Sequence, residues 1–564
     1  VLLAGLLYKK RNERVLAFGM VLITVFPIFL YVLNGGLYIN DKALIPFLPV
    51  VCYLIALFFQ KLEADEGRFR KNLLFLFVGT VVLTLFSMDQ TIYWILAFAD
   101  ALLMVFCYLI YQISNKIKFI VIPVILILFI TDIVIQNPDK LVDEVTYREI
   151  FNPDINKVTR ELSDADPSFY RMDSLLNKDA NLNRIYNGNQ YLTSFYSSSY
   201  QKDYLDFRNE IFQLEQPYRN YLMQPASQNP LFLSFMGVKY VRSDYAPVGY
   251  ELFMKKGNVN IYRNQNVFPL GYATNKLISE KEFAKSEFPY RQELLMNRAV
   301  VKLQPASKYQ SNLEQEEAFQ TKISPITLSL PQSEGNDFTL SLDHGVYRVK
   351  AQSDTYRYIS LPNPAGEDQV MFLEMKVKNL TPLQDISIKI QNEQNKLSAD
   401  DHVYYNNNTV FHYAVSVKKG CQSLSVKFSS GEYELLSLQS YTLNAADMIN
   451  KNITACPFEV SEMNTKGDVI AGSVNAKEDG YFITSIPYDK NFKITMDGKN
   501  ISCEEVNMAF IGFPIAKGLH HIIFHYESPG FLPGAASSII GFLIFGFIIY
   551  TDRKKGNRGD YYGE

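Results

Sequence analysis

Cysteine, histidine and tryptophan are scarce in this chain, with five, six and one residues in 564, and each scarcity removes a class of protein. Five cysteines are too few for a disulfide scaffold. Cys52 and Cys107 lie inside apolar runs and read as packing residues. Cys421, Cys456 and Cys503 allow at most one internal bridge, and their spacing matches no metal site. Three of the histidines, His520, His521 and His525, fall in one strand-like stretch. A metal centre needs further ligands converging on it. Ile522, Phe524 and Tyr526 make the better inward face, which turns His521 and His525 toward solvent. Surplus charge is also missing: the net charge is −3, and no basic stripe with interleaved aromatics occurs outside the apolar flanks. A nucleic-acid partner is therefore not expected. There is no phosphate-cradling glycine loop, zinc-protease helix or serine elbow. The residues imply no cofactor, and whether a divalent metal is required is not readable from them.

Long apolar runs are abundant. Six occupy residues 15–33, 43–59, 72–88, 91–111, 118–135 and 533–551. Each has about the length that a hydrocarbon core of roughly 30 Å demands of a helix. Lys9, Lys10, Arg11 and Arg14 precede the first, while Lys61, Arg68, Arg70 and Lys71 separate the second from the third. Lys116 and Lys118 separate the fourth from the fifth, and Arg553, Lys554, Lys555 and Arg558 follow the last. The intervening loops, 34–42 and 87–90, hold one lysine and no arginine. Alternate loops are basic, so the positive-inside rule places residues 136–532 on the outer face of a multi-pass protein. Residues 1–7 read as the last turns of a further helix, which makes the chain look like the C-terminal portion of a longer polytopic protein.

The expected fold is a polytopic α-helical membrane bundle with large extracytoplasmic α/β and β-sandwich (jelly-roll-like) domains and a C-terminal transmembrane helix. Residues 1–135 hold the helical stub and five spans. Residues 136–327 mix helical stretches (204–214, 281–297) with strand-like runs (237–241, 259–262), as a compact α/β domain does. From 328 to 460 helices vanish. The runs 346–349, 372–377, 386–390 and 410–417 alternate with the period of half-buried strands, which predicts a β-sandwich. A membrane-proximal β domain follows at 461–532, with Asp497-Gly498 as a hairpin turn. The last span is 533–551 and the tail is 552–564.

Few residues carry obvious chemistry. Asp100 sits midway along the fourth run, where an ionised carboxylate is costly unless paired or wet. It is read either as part of a site or ion path, or as a neutral acid that fixes helix packing. Asp41 and Asp89 lie in the two short outer loops, where a carboxylate facing water has the position of a base, although acids are common in loops. The stretch 186–204 is dense in Tyr, Phe and Ser. It suits sugar rings, but an aromatic core in a Tyr-rich chain is the plainer reading.

Four stretches carry a resemblance. They are Phe169-Tyr170-Arg171 with the Asn187-Gly188 region; Phe235-Met236-Gly237-Val238-Lys239-Tyr240-Val241; Ile261-Tyr262-Arg263-Asn264 leading to Phe268-Pro269-Leu270-Gly271-Tyr272; and Gly480 to Asp489 with Asp497-Gly498, Phe510-Ile511-Gly512 and Lys517-Gly518-Leu519-His520. In this order they resemble the YfhO family of bacterial membrane proteins. The resemblance implies a GT-C-type glycosyltransferase in the bacterial cell membrane. Its partners would be the lipid bilayer, a sugar linked to undecaprenyl phosphate, a polyprenyl phosphate, and a cell-envelope glycopolymer acceptor such as teichoic acid. The catalytic acid of such enzymes usually lies in a first external loop, which has no counterpart in these residues, so no catalytic residue is carried over. Substrate-binding candidates are Asp41, Asp89, Asp100 and Arg171, the last because a guanidinium suits phosphate, with a structural salt bridge as the competing role. The alternatives are a non-catalytic, membrane-anchored glycan-binding envelope protein and a lipid-linked sugar transporter.

Overall fold

Proline shapes the first apolar run. In a computed structural model of the chain, Arg11–Val25 is helical, Phe26 is extended (φ −101°, ψ 109°), and the helix resumes as Pro27–Leu33. Pro27 has no N–H to donate and crowds an α conformation at the residue before it, so the ladder breaks there. The two arms bend by 89°, where the sequence predicts one straight span. The second run begins as a 3-10 helix, Asp41–Phe47, holding Pro46, and continues as the α-helix Leu48–Glu63. Ala17, Met20, Leu54 and Leu57 form their shared core, and Lys61 pairs with Glu13 at 3.1 Å.

The structure describes residues 10–34, 41–63, 143–150, 153–176, 191–197, 200–216, 223–302, 319–449 and 451–559, with a few isolated positions besides. The runs at 72–88, 91–111 and 118–135 lie outside them, apart from Ile127. Among the described residues one helix is long and apolar enough to cross a membrane by itself, Phe531–Thr551, within the longer helix Phe531–Gly559. The bent pair adds a second crossing only if its arms count as one span. The expected six-span bundle is therefore not what the described residues display. They are dominated by β-sheet.

The chain divides into two units, Val1–Val142 and Asp143–Glu564. In the second, the helix Pro153–Ala165 lays Ile155, Val158 and Leu162 on a four-stranded sheet, against Tyr170, Met172, Tyr240 and Ile261. The 3, 4 spacing of those three residues is the apolar stripe of an amphipathic helix. The strand order is Arg171–Ser174, Val238–Arg242, Val259–Arg263, Glu251–Lys256; the first pair is parallel and the others antiparallel.

A β-sandwich follows, as its alternating sequence predicts. One sheet orders Phe338–Asp343, Val346–Ala351, Gly431–Asn444, Gln369–Asn379 and Val410–Val417. The facing sheet orders Thr355–Ser360, Ser423–Phe428, Ile386–Ile390 and Glu393–Leu397. Leu340, Val349, Leu373, Ile388, Val426 and Leu435 fill the space between. The outer side of the first sheet is buried too. Val370, Phe372, Ala414 and Leu443 enter the core built from residues 175–301, each large side chain contributing about 1.5–3 kcal/mol of burial.

The third sheet joins parts of the chain far apart in sequence. Gly271–Thr274 lies between Cys456–Val460 and Gly480–Pro487, while Leu277–Ser279 and Ala299–Val301 extend the Glu504–Val506 edge. The segments expected as separate domains at 136–327 and 461–532 thus share one sheet. Its far edge is the hairpin Phe492–Met496 and Lys499–Ile501. Asp497 and Gly498 turn it with φ of 53° and 77°, the pair of positive values a type I′ turn requires.

Candidate functional site: a cleft on the four-stranded sheet

Three of the family-like stretches meet beside the four-stranded sheet. The helix Pro153–Ala165 stops before Asp166-Pro167, and Asp166 is held where the chain turns toward Phe169-Tyr170-Arg171. Its carboxylate accepts from Lys239 Nζ at 2.5 Å, Tyr240 Oη at 2.7 Å, and the Ser168 hydroxyl at 2.5 Å. Arg263, at the end of the neighbouring strand, sets its guanidinium 4.5 Å from the Phe253 ring centre. Asp166, Lys239, Tyr240, Phe253, Arg263 and Gln265 line a cleft of about 410 Å³.

The electrostatics favour binding over proton transfer. Burial works to raise the Asp166 pKa, but hydrogen bonds from Lys239, Ser168 and Tyr240 outweigh it and keep the carboxyl below the usual range. Burial, then the hydrogen bond to Asp166 and its charge, push the Tyr240 phenol well above its ordinary value. Neither group is poised near neutrality, which a general acid or base needs. Asp166 balances Lys239, leaving Arg263 as the surplus charge of the cleft. A cation beside two aromatic faces suits an anionic, hydroxyl-bearing ligand.

The residues singled out by sequence fall elsewhere. Arg171 is 8% exposed. Its Nη1 donates to the Met236 carbonyl and, at 2.7 Å, to Ser485 Oγ, and its Nη2 donates to the Ser485 carbonyl at 3.0 Å. It ties two of the family-like stretches to the first, facing carbonyls inside the protein. Neighbouring Asp173 is wholly buried, accepting from Thr193 N–H and hydroxyl and from the Ser194 hydroxyl. Burial raises its pKa against those hydrogen bonds.

Asp41 heads the 3-10 helix Asp41–Phe47, while Asp89 and Asp100 lie outside the described residues. Tyr204 belongs to the aromatic core, stacking on Phe195 and Phe207. His521 is exposed and His525 half-exposed, with Ile522 and Phe524 buried between them. Cys421, Cys456 and Cys503 are free thiols. The cleft residues were within reach of the sequence reading, since Lys239, Tyr240 and Arg263 lie inside the family-like stretches. Asp166 carried no signal, because nothing local marks it as the carboxylate that draws Lys239 and Tyr240 together.

Among the described residues a β-rich body runs into an exposed apolar helix long enough to span a bilayer, which is the make-up of a membrane-anchored protein with a large folded region. The family model described as "Bacterial membrane protein YfhO" matches residues 8–538. The chain belongs to that family. It is 22% identical over 309 residues to "Uncharacterized protein YfhO" of Bacillus subtilis (strain 168), covering 55% of this chain and 34% of that protein; the chain thus matches about a third of the length of this curated relative. Among solved structures, a family 29 carbohydrate-binding module aligns with 23% of this chain and 99% of its own, at 12% identity and a TM-score of 0.15. The tandem CBM22 domains of Paenibacillus barcinonensis Xyn10C align with 38% and 92%, at 8% identity and a TM-score of 0.16.

Proposed function

We propose that this protein serves a membrane glycosyltransferase reaction. A sugar passes from an undecaprenyl-phosphate carrier to a cell-envelope polymer such as teichoic acid, at the outer face of a multi-pass bundle. The observation that carries this reading is the convergence of two family-like stretches on one cleft, where Arg263 and Lys239 stand beside Phe253 and Tyr240. In this reading the cleft receives a phosphate-bearing group of carrier or acceptor. The alternation of basic loops supports outer placement of residues 136–532. The four-residue step from the strand ending at Tyr526 to the helix starting at Phe531 keeps the long sheet near the bilayer surface. No residue of the cleft is assigned to catalysis, and Asp41, Asp89 and Asp100 stay candidates for substrate binding.

The second reading, a non-catalytic glycan-binding envelope protein, draws on the same cleft, where Asp166 is held below and Tyr240 above their ordinary ranges. A deletion strain separates the two. Its wall and membrane polymers are expected to lose a sugar modification that the wild-type gene restores. Arg263→Gln, checked for normal amounts in the membrane fraction, should lower modification at least tenfold, with Asp41→Asn, Asp89→Asn and Asp100→Asn run alongside. Polymers unchanged by the deletion would reject the transferase and leave the binding protein.

A further inference from the structure

The two faces of the β-sandwich have different fates. The outer side of the sheet that holds Gln369–Asn379 is buried through Val370, Phe372, Ala414 and Leu443. The outer side of the facing four-stranded sheet is open along its edge strand among the described residues. There Tyr356 and Tyr358 stand 61% and 63% exposed. They lie two residues apart on the edge strand Thr355–Ser360, so their rings share one face about 7 Å apart. In register with them, Tyr356 faces Lys427, which faces Lys389, which faces Gln394; Tyr358 faces Ser425. Lys427 reaches over the Tyr356 ring at 5.7 Å and pairs with Asp354 at 2.6 Å.

Two features of this face suit an anionic occupant. Lys389 and Lys427 are like charges directly opposite on neighbouring strands, an arrangement that destabilises a sheet; Asp354 offsets only one of them. The rest of the row is hydroxyl and amide: Ser425 lies opposite Tyr358, and Ser387 and Gln394 lie on the next strands of the sheet. A protein interface would bring a more continuous apolar centre. Flat aromatic faces, hydrogen-bonding groups and one surplus cation, Lys389, fit a chain that is hydroxyl-rich and negatively charged.

We propose that this open face, with Tyr356 and Tyr358 beside Lys389 and Lys427, docks an anionic sugar-phosphate or polyol-phosphate chain. The sandwich would hold the acceptor polymer by its repeat units while a distant end reacts. The inference rests on the transferase reading only for the identity of the polymer, and binding is measured without any transfer.

The test uses the whole chain in detergent micelles, with soluble poly(glycerol phosphate) as probe and neutral dextran as its uncharged counterpart. Wild type should bind the phosphate polymer, more weakly in high salt, and bind dextran at least tenfold less tightly. Tyr356→Ala with Tyr358→Ala should weaken phosphate-polymer binding at least tenfold, and Lys389→Glu should do so for that probe alone. All three side chains are on the surface, and circular dichroism checks that the fold is kept. Unchanged affinity in the double tyrosine variant, equal affinity for dextran, or no binding by wild type would each overturn the proposal. Tyrosine-dependent binding without gene-dependent polymer modification would sink the transferase reading and leave this one standing. Gene-dependent modification with binding indifferent to the tyrosines would do the reverse.

Discussion

Arg171 shows how a residue's type and its surroundings pull in different directions. A guanidinium near a membrane suggests phosphate, and its place in a family-like stretch strengthened that expectation. Its donors instead meet Met236 and Ser485 inside the protein. A lysine has one compact ammonium and cannot span both partners with a planar fork. Arg171→Lys is therefore expected to cost about 1–3 kcal/mol of stability, the toll of leaving buried carbonyls short of a donor. Denaturant unfolding of the solubilised chain measures it. A variant as stable as wild type would mean that the fork is not holding the two segments together. The cleft needed two kinds of information, of which sequence offers one. Lys239 and Arg263 could be noticed as cations in strand-like runs, but not that they open on one hollow with Asp166.

At the scale of elements, local physics was read well and long-range pairing was not. The runs 346–349, 386–390 and 410–417 alternate cleanly because one side of each strand faces the sandwich core, and all three are strands. The helix expected at 204–214 is shorter, Lys202–Asp206 followed by a π-turn at Phe207–Ile211. Nothing local announces that Gly271–Thr274 pairs with Gly480–Pro487, since register across such a distance is set by the packed whole. Gly237 marks one join that sequence could have flagged. It ends the helix Pro230–Phe235 with φ of +67°, and a Cβ there would sit 2.6 Å from the Phe268 carbonyl oxygen. Gly237→Ala combines a left-handed backbone with a close approach to main chain, and a loss of about 2–4 kcal/mol is expected. A melting temperature within a degree of wild type would show that the turn has room to relax.

For the molecule as a whole, the orientation is the statement most open to direct test. Val403 is 87% exposed in the sandwich. In a chain otherwise freed of cysteine, Val403→Cys should react with a membrane-impermeant maleimide in intact cells, without lysis. Labelling that appears only after lysis would put the β-rich region on the inner side and remove the basis for outer-face chemistry.

The shared sheet also sets a timetable. A ribosome making about 5–20 residues per second takes about 10–40 s to supply the roughly 200 residues between the strand at Gly271–Thr274 and its partner at Gly480–Pro487. The sandwich emerges in that interval and can close on a core of its own. The earlier strands must wait with unpaired edges, which are templates for the wrong partner. Folding of this protein should therefore lean on holding factors that shield nascent β-edges, and a stop codon placed after the sandwich should leave the first half of the sheet orphaned rather than folded.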